Sequence, residues 1–169
     1  MSGADMPWVL IVVGLVAAQR LAELALARRN TAALLARGGR EAGAGHYPLF
    51  ILLHASWLAA IVATTPWRRV PDWPLLAVFG LLQALRVWVV ASLGPYWTTR
   101  VITLDAAPLV RRGPFRFLRH PNYWVVCGEI AILPLAFGDW PVALVWSGLD
   151  ALLLSHRIRI ETEALRTRA

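Results

Sequence analysis

Three long apolar runs limit what this chain can fold into: Pro7 to about Ala27, Tyr47 to Thr65, and Trp73 to Leu93. Each approaches the roughly 20 residues that cross ~30 Å of bilayer hydrocarbon as a helix. The whole composition agrees. The 169-residue chain is 58% hydrophobic and 16% charged, with mean hydropathy +0.56, whereas a soluble domain of this size carries about 25% charged residues. It therefore reads as an all-α integral membrane protein, one domain over 1–169, with no room for a separate soluble catalytic module. The first run starts beside Asp5, without a basic leader or a small-residue cleavage site, so it reads as a retained span and not as a signal peptide.

The last apolar stretch, Tyr123 to Ser155, is broken by Phe137-Gly138-Asp139-Trp140-Pro141, residue types that mark a tight turn. It predicts a short helical hairpin over 123–137 and 141–155, complete or re-entrant. The expectation is about five transmembrane helices (7–27, 47–65, 73–93, 123–137, 141–155), a loop over 94–122 and a short C-terminal helix over 156–169.

All 17 basic residues are Arg, against 10 acidic ones, for a net charge of +7. Lying between apolar runs, they read as topology signals and contacts to anionic lipid headgroups, not as a nucleic-acid surface. Arg28, Arg29, Arg37 and Arg40 follow the first run, and Arg100, Arg111, Arg112, Arg116 and Arg119 follow the third. Arg157, Arg159, Arg166 and Arg168 close the chain, and only Arg68 and Arg69 fall opposite. The asymmetry puts the N-terminus outside, and the 94–122 loop and the C-terminus in the cytoplasm. Trp8, Trp67, Trp73, Trp97 and Trp140 read as interfacial anchors. The single cysteine, Cys127, excludes an internal disulfide and a multi-cysteine metal site, and His46 and His54 lack partners at ligand spacing; no metal is expected.

Ionisable groups inside apolar runs are costly and are candidates for function. Arg20 and Glu23 share a helical face, as do Gln83 and Arg86, while Glu129 and Asp150 occupy the two halves of the hairpin. The simplest reading of Arg20, Glu23 and Arg86 is ion pairing that holds the bundle together. Glu129 lies two turns beyond the densest motif in the chain and is assigned instead to a cofactor site.

That motif is Pro108-Leu109-Val110-Arg111-Arg112-Gly113-Pro114-Phe115-Arg116-Phe117-Leu118-Arg119-His120-Pro121-Asn122-Tyr123. Gly113-Pro114 forces a turn, Pro121 keeps His120 out of helical geometry, and Asn122 suits the N-cap of a helix starting at Tyr123. A helix start favours an anion, Arg119 and His120 add charge or donors, and Tyr123 offers an aromatic face. Together they suit a cofactor with a carboxylate, a flat base and a positive centre, as in S-adenosylmethionine. Leu109, Val110 and Gly113 join the same expected pocket.

These residues resemble the isoprenylcysteine carboxyl methyltransferase superfamily of small membrane methyltransferases. The matching positions are Gly113-Pro114-Phe115-Arg116, Arg119-His120-Pro121-Asn122-Tyr123, Glu129, Leu133-Pro134-Leu135, and Arg157-Ile158 followed by Glu161 and Leu165. The resemblance implies a cofactor pocket lined by His120, Pro121 and Tyr123, with Arg157 and Glu161 near the reacting end and a lipid acceptor entering sideways from the bilayer. Thr162 stands where the family usually has a second acidic residue, which points away from the eukaryotic type of substrate. The N-terminal half, through Arg28-Arg29-Asn30, Glu41, Gly45-His46-Tyr47-Pro48, Leu53-His54 and Trp97-Thr98-Thr99-Arg100, is similar to a bacterial branch associated with type III polyketide synthases. That branch methylates lipid phenols or pyrones and implies a bacterial inner membrane.

Two rival readings stay open: a membrane sterol-type reductase, which carries a similar Arg-His-x-Asn-Tyr block, and a non-enzymatic scaffold or transporter. For methyl transfer, a carboxylate acceptor needs an orienting Arg, such as Arg157 or Arg159, whereas a phenol of pKa about 10 needs a base. Glu41, His46 and His54 are the candidates for that base.

Overall fold

The computed structural model describes residues 5–43, 45, 47–104 and 110–166. Five helices dominate: α1 (Trp8–Ala36), α2 (Tyr47–Thr64), α3 (Trp73–Leu93), α4 (Pro121–Ala136) and α5 (Trp140–Arg166). α1, α2 and the segment Trp73–Tyr96 are each long and apolar enough to cross a membrane. The outward faces agree. Leu15, Leu21, Leu81 and Leu152 are each about two-thirds exposed, an arrangement that suits lipid and would be an aggregation liability in water.

α1 runs nine residues past the expected Ala27. At 1.5 Å per residue it is about 43 Å long, more than the hydrocarbon needs. Its surplus carries Arg28 and Arg29, and Asn30 ties that end to the chain after α3 by donating from Nδ2 to the carbonyls of Gly94 (3.1 Å) and Trp97 (2.9 Å).

The expectation of purely helical structure needs one correction. β1 (Arg40–Ala42) and β2 (Val101–Thr103) form an antiparallel two-stranded ribbon, with Glu41 opposite Ile102. The expected 94–122 loop is also more ordered than a plain connection, with 3₁₀ turns at Gly94–Tyr96 and Gly113–Arg116 on either side of β2. Nor is there a separate C-terminal helix, because α5 continues unbroken from Trp140 to Arg166. No Gly or Pro interrupts 149–166 to stop it.

The hairpin between α4 and α5 is present, and its chemistry is explicit. Gly138 takes φ +72°, and the amides of Phe137 and Asp139 both bond the Pro134 carbonyl. Asp139 then caps α5 through Oδ1 to the Val142 amide (3.3 Å), while its Oδ2 accepts from Thr64 and Thr65 at the end of α2. At the same end, Asp72 caps α3 by accepting from the Leu75 amide (3.0 Å), and its own amide bonds the Ala136 carbonyl at the end of α4.

The best-packed core lies toward this end. Val9, Trp57, Ile61, Ile130 and Leu133 interlock there with essentially no exposure. In lipid such packing gains dispersion contacts but little hydrophobic free energy, so polar links between helices carry more of the specificity. The opposite end gathers the ribbon, the finish of α1 and α3 and the starts of α2 and α4, and most of the arginines. Trp97 belongs there to the interior: it is buried, not the interfacial anchor expected of it.

Candidate active site

The turn before α4 is shaped by Gly113. Its φ is +58°, and a Cβ there would overlap the Ser92 side chain on α3. The glycine therefore packs the turn against α3, and Arg112 secures it by donating from Nε to the Ser92 carbonyl at 2.7 Å. Pro121 is the first helical residue of α4, and His120, at φ −131° and ψ 61°, is the N-cap. The helix thus starts two residues earlier than expected. Asn122 is not the cap; it sits in the first turn, and among the described residues its buried Oδ1 has no partner. Proline at the first helical position accounts for the shift, since its fixed φ suits that position and its missing N–H costs nothing there.

This start presents His120 and Tyr123 as a stacked pair, with ring centroids 5.1 Å apart and planes 10° from parallel. From α5, Arg157 and Glu161 reach the same point, since residues four apart share a helical face. The Tyr123 hydroxyl donates to Glu161 and accepts from Arg157 Nε at 3.0 Å. Arg157 also donates from Nη1 to the Thr99 carbonyl at 2.8 Å and lies over the Phe50 ring at 5.3 Å. His120 Nδ1 is 3.7 Å from Glu161, an ion-pair separation and not a hydrogen bond. Two pairs of residues, one at the start of α4 and one on α5, thus form one cluster.

The cluster borders a cavity of about 430 Å³. Its walls come mainly from α1, α2, α4 and α5, with Trp97, Thr98 and Thr99 at the arginine-rich end. Most of the lining is apolar, including Leu24, Leu58, Val126 and Leu154. Leu21 and Ile51 border the cavity and are also 67% and 38% exposed on the bundle surface, so it opens at that surface between α1 and α2.

Deeper in the cavity a set of buried charges forms one wall. Arg86 Nε bonds both oxygens of Glu23 at 2.8 Å, and its Nη1 bonds Glu129 at 2.8 Å. Arg20 bridges the same two carboxylates, at 3.1 Å to Glu23 and 2.8 Å to Glu129, and Gln83 donates to Glu129 at 2.8 Å. The pairing expected among Arg20, Glu23 and Arg86 is present, with Glu129 completing it. Two arginines balance two glutamates, which is what makes the burial tolerable. Arg20, Glu23 and Arg86 face the cavity; Glu129, expected among the cofactor contacts, is only 1% exposed, stands behind them and is not among the cavity residues.

His54 also lines the cavity. Its Nδ1 sits 2.9 Å from the Phe50 carbonyl, so that nitrogen carries the proton and Nε2 is left as the basic one.

The other expected site residues are dispersed. Glu41 lies in β1, ion-paired to Arg100 at 2.9 Å, and is not among the cavity residues. The ribbon explains this, because it sets Glu41 beside the arginine two residues before its cross-strand partner. Of the loop set, Asn122 and Tyr123 line the cavity, whereas Val110, Gly113, Arg119, His120 and Pro121 do not. Leu109 and His46 lie outside the described residues. Sequence reading passed over the Thr99 carbonyl and Phe50 as partners of Arg157, since neither a backbone acceptor nor a ring in an apolar helix carries a sequence signal. Among the described residues, Asp150 has no ion pair with the charge network and accepts from Cys127 Sγ at 3.6 Å.

The apolar helices define a small helical membrane protein, and the largely apolar cavity bordered by the charged cluster is its candidate site. Residues 75–167 match the isoprenylcysteine carboxyl methyltransferase (ICMT) family. The chain belongs to that family, whose members are membrane methyltransferases that use S-adenosylmethionine. It is 36% identical over 163 residues to the uncharacterized protein YpbQ of Bacillus subtilis (strain 168), covering 94% of this chain and 96% of that one. It is 27% identical over 160 residues to an uncharacterized protein of Haemophilus influenzae (strain ATCC 51907 / DSM 11121 / KW20 / Rd), covering 92% and 93%. No solved structure shows a significant match.

Proposed function

We propose that the protein is an S-adenosylmethionine-dependent O-methyltransferase that modifies a lipophilic acceptor within the membrane, on a carboxylate or on a phenolic or enolic oxygen. The observation that carries this reading is the joining of Tyr123 and Arg157, both inside the family-matched segment, at one end of an apolar cavity open at the bundle surface.

The residues at the start of α4 fit the cofactor. The stacked His120 and Tyr123 rings offer a flat surface for a base, and the buried, unpartnered Asn122 Oδ1 offers an acceptor for an amino group. Glu161 adds negative charge suited to a sulfonium or an ammonium. When bound there, S-adenosylmethionine supplies an electrophilic methyl group. The chain's own work is alignment and exclusion of water. Arg157, held by the Tyr123 hydroxyl and the Thr99 carbonyl, orients an acceptor carboxylate. For a phenol or enol, the Nε2 of His54 takes the proton. The apolar walls hold the acceptor's chain.

The arginine-rich end faces the cytoplasm in this reading, with five spans and the N-terminus outside, in a bacterial inner membrane. The acceptor is an alkylresorcinol- or alkylpyrone-like lipid, or an isoprenylcysteine-like carboxylate.

The test is incubation of the purified protein with methyl-labelled S-adenosylmethionine and a panel of prenylcysteine, fatty-acid, alkylresorcinol and alkylpyrone acceptors. Label in an extracted lipid as an ether or ester is expected. Retained cofactor binding with no labelled lipid from any of these classes would overturn the acceptor assignment, and binding of a nicotinamide cofactor in its place would overturn the reaction.

A further inference from the structure

The charged wall of the cavity has unused hydrogen-bonding capacity of one kind. Both Glu23 oxygens and both Glu129 oxygens already accept bonds. The two guanidinium groups hold more N–H donors than those four oxygens occupy. Among the described residues, Arg86 donates through Nε and Nη1, which leaves Nη2, and Arg20 and Arg86 keep 11% and 6% of their side-chain surface accessible; Arg20 Nε, also without a partner, is buried. The network is neutral in total charge and donor-rich. Arg20 and Arg86 border the same cavity as Tyr123 and Arg157, and Glu129, which holds them, lies six residues along α4 from Tyr123, about 9 Å. A strut that only held the bundle together would need neither a place on a cavity wall nor spare donors.

We propose that Arg20 and Arg86 form a specificity subsite for a second oxygen of the acceptor headgroup. The headgroup lies between the two polar ends of the cavity. One oxygen meets the Tyr123–Arg157 end, where methyl transfer takes place, and a hydrogen-bond-accepting hydroxyl, carbonyl or enolate oxygen meets the guanidinium donors. The subsite thus selects dioxygenated amphiphiles over lipids with a single polar oxygen. This rests on the methyl-transfer reading for the role of the bound lipid, but not for the binding preference.

The experiment uses two probes, an alkylresorcinol and the alkylphenol of the same chain length, which differ by one hydroxyl. Binding to the full-length protein in lipid nanodiscs is followed by quenching of tryptophan fluorescence, and turnover is followed with labelled S-adenosylmethionine. The wild type is expected to bind the resorcinol about tenfold more tightly, as one hydrogen bond to a charged group provides. In Arg20→Gln, and in the charge-balanced Arg20→Gln/Glu23→Gln variant that guards against misfolding, the ratio is expected to fall toward one. A wild-type ratio near one, or a ratio unchanged in a folded variant, overturns the subsite. If the ratio behaves as expected but neither probe is methylated, the subsite stands and methyl transfer to this class of lipid falls.

Discussion

Replacing Glu129 tests how the bundle tolerates four charges in its interior. Its carboxylate is 1% exposed and accepts from Arg20, Arg86 and Gln83, each at 2.8 Å. Glu129→Ala leaves two guanidinium groups facing one carboxylate, a net +1 in a largely buried site. Removing one partner of a buried pair costs about 3–5 kcal/mol. Glu129→Gln leaves the same net +1 but keeps a hydrogen-bond partner in place, and is gentler. Its amide oxygen can keep the contacts with both arginines, and rotation of the Gln83 amide lets its Oε1, without a partner among the described residues, accept from the new NH₂ group. The loss is then the difference between charged and neutral hydrogen bonds, roughly 1 kcal/mol at each arginine, or about 2 kcal/mol. The assay is thermal unfolding in nanodiscs followed by circular dichroism. At about 2–4 °C per kcal/mol for a chain of this size, Glu129→Gln is expected to lower the midpoint by about 4–8 °C, and Glu129→Ala by more. The double variant Arg86→Met/Glu129→Leu restores neutrality and is expected to be more stable than the sum of its single changes. A Glu129→Ala midpoint within 2 °C of wild type, or strict additivity in the double variant, would refute the reasoning.

His120→Ala removes the ring stacked on Tyr123 and is expected to lose S-adenosylmethionine binding while keeping the helical circular dichroism spectrum; undiminished binding by calorimetry would remove His120 from the pocket. Tyr123→Phe keeps the stack but deletes the hydroxyl shared by Glu161 and Arg157. Catalytic efficiency should fall about 10- to 100-fold, the worth of a hydrogen bond to a charged group, with cofactor affinity changed much less. Gly113→Ala places a methyl group against Ser92 at a positive φ, and is expected to cost about 1–3 kcal/mol in unfolding and to weaken cofactor binding by displacing His120; an unchanged melting curve would contradict the close approach of the turn to α3.

Much of the architecture was legible because lipid imposes one-dimensional rules. A run such as Tyr47–Thr64 has to be helical, and Gly138-Asp139 has to turn, whatever surrounds them. The boundaries that went astray depended on tertiary neighbours or on a local choice between adjacent residues. α1 continues because Asn30 finds carbonyls beyond α3, the β1–β2 ribbon pairs segments about sixty residues apart, and Pro121 took the helix start before Asn122 could cap it. The site divides in the same way. His120, Tyr123, Arg157 and Glu161, which the structure brings together, lie in a recognisable ordered pattern. The expected roles of Glu41 and Glu129 rested on sequence neighbourhood, and the structure gave each carboxylate to arginines from other elements.

By itself the sequence determined the membrane setting, the helical class, the turn between the last two helices and the family segment, since each depends on residue type at short range. The tertiary structure alone decided that Arg20, Glu23, Gln83, Arg86 and Glu129, side chains on three helices, form one network, that three of them face a cavity, and that this cavity opens between α1 and α2. The physical reason is that a buried charge needs a partner but does not specify which one. Helix packing makes that choice, and here it put the wall of charges beside the residues matched to the methyltransferase family.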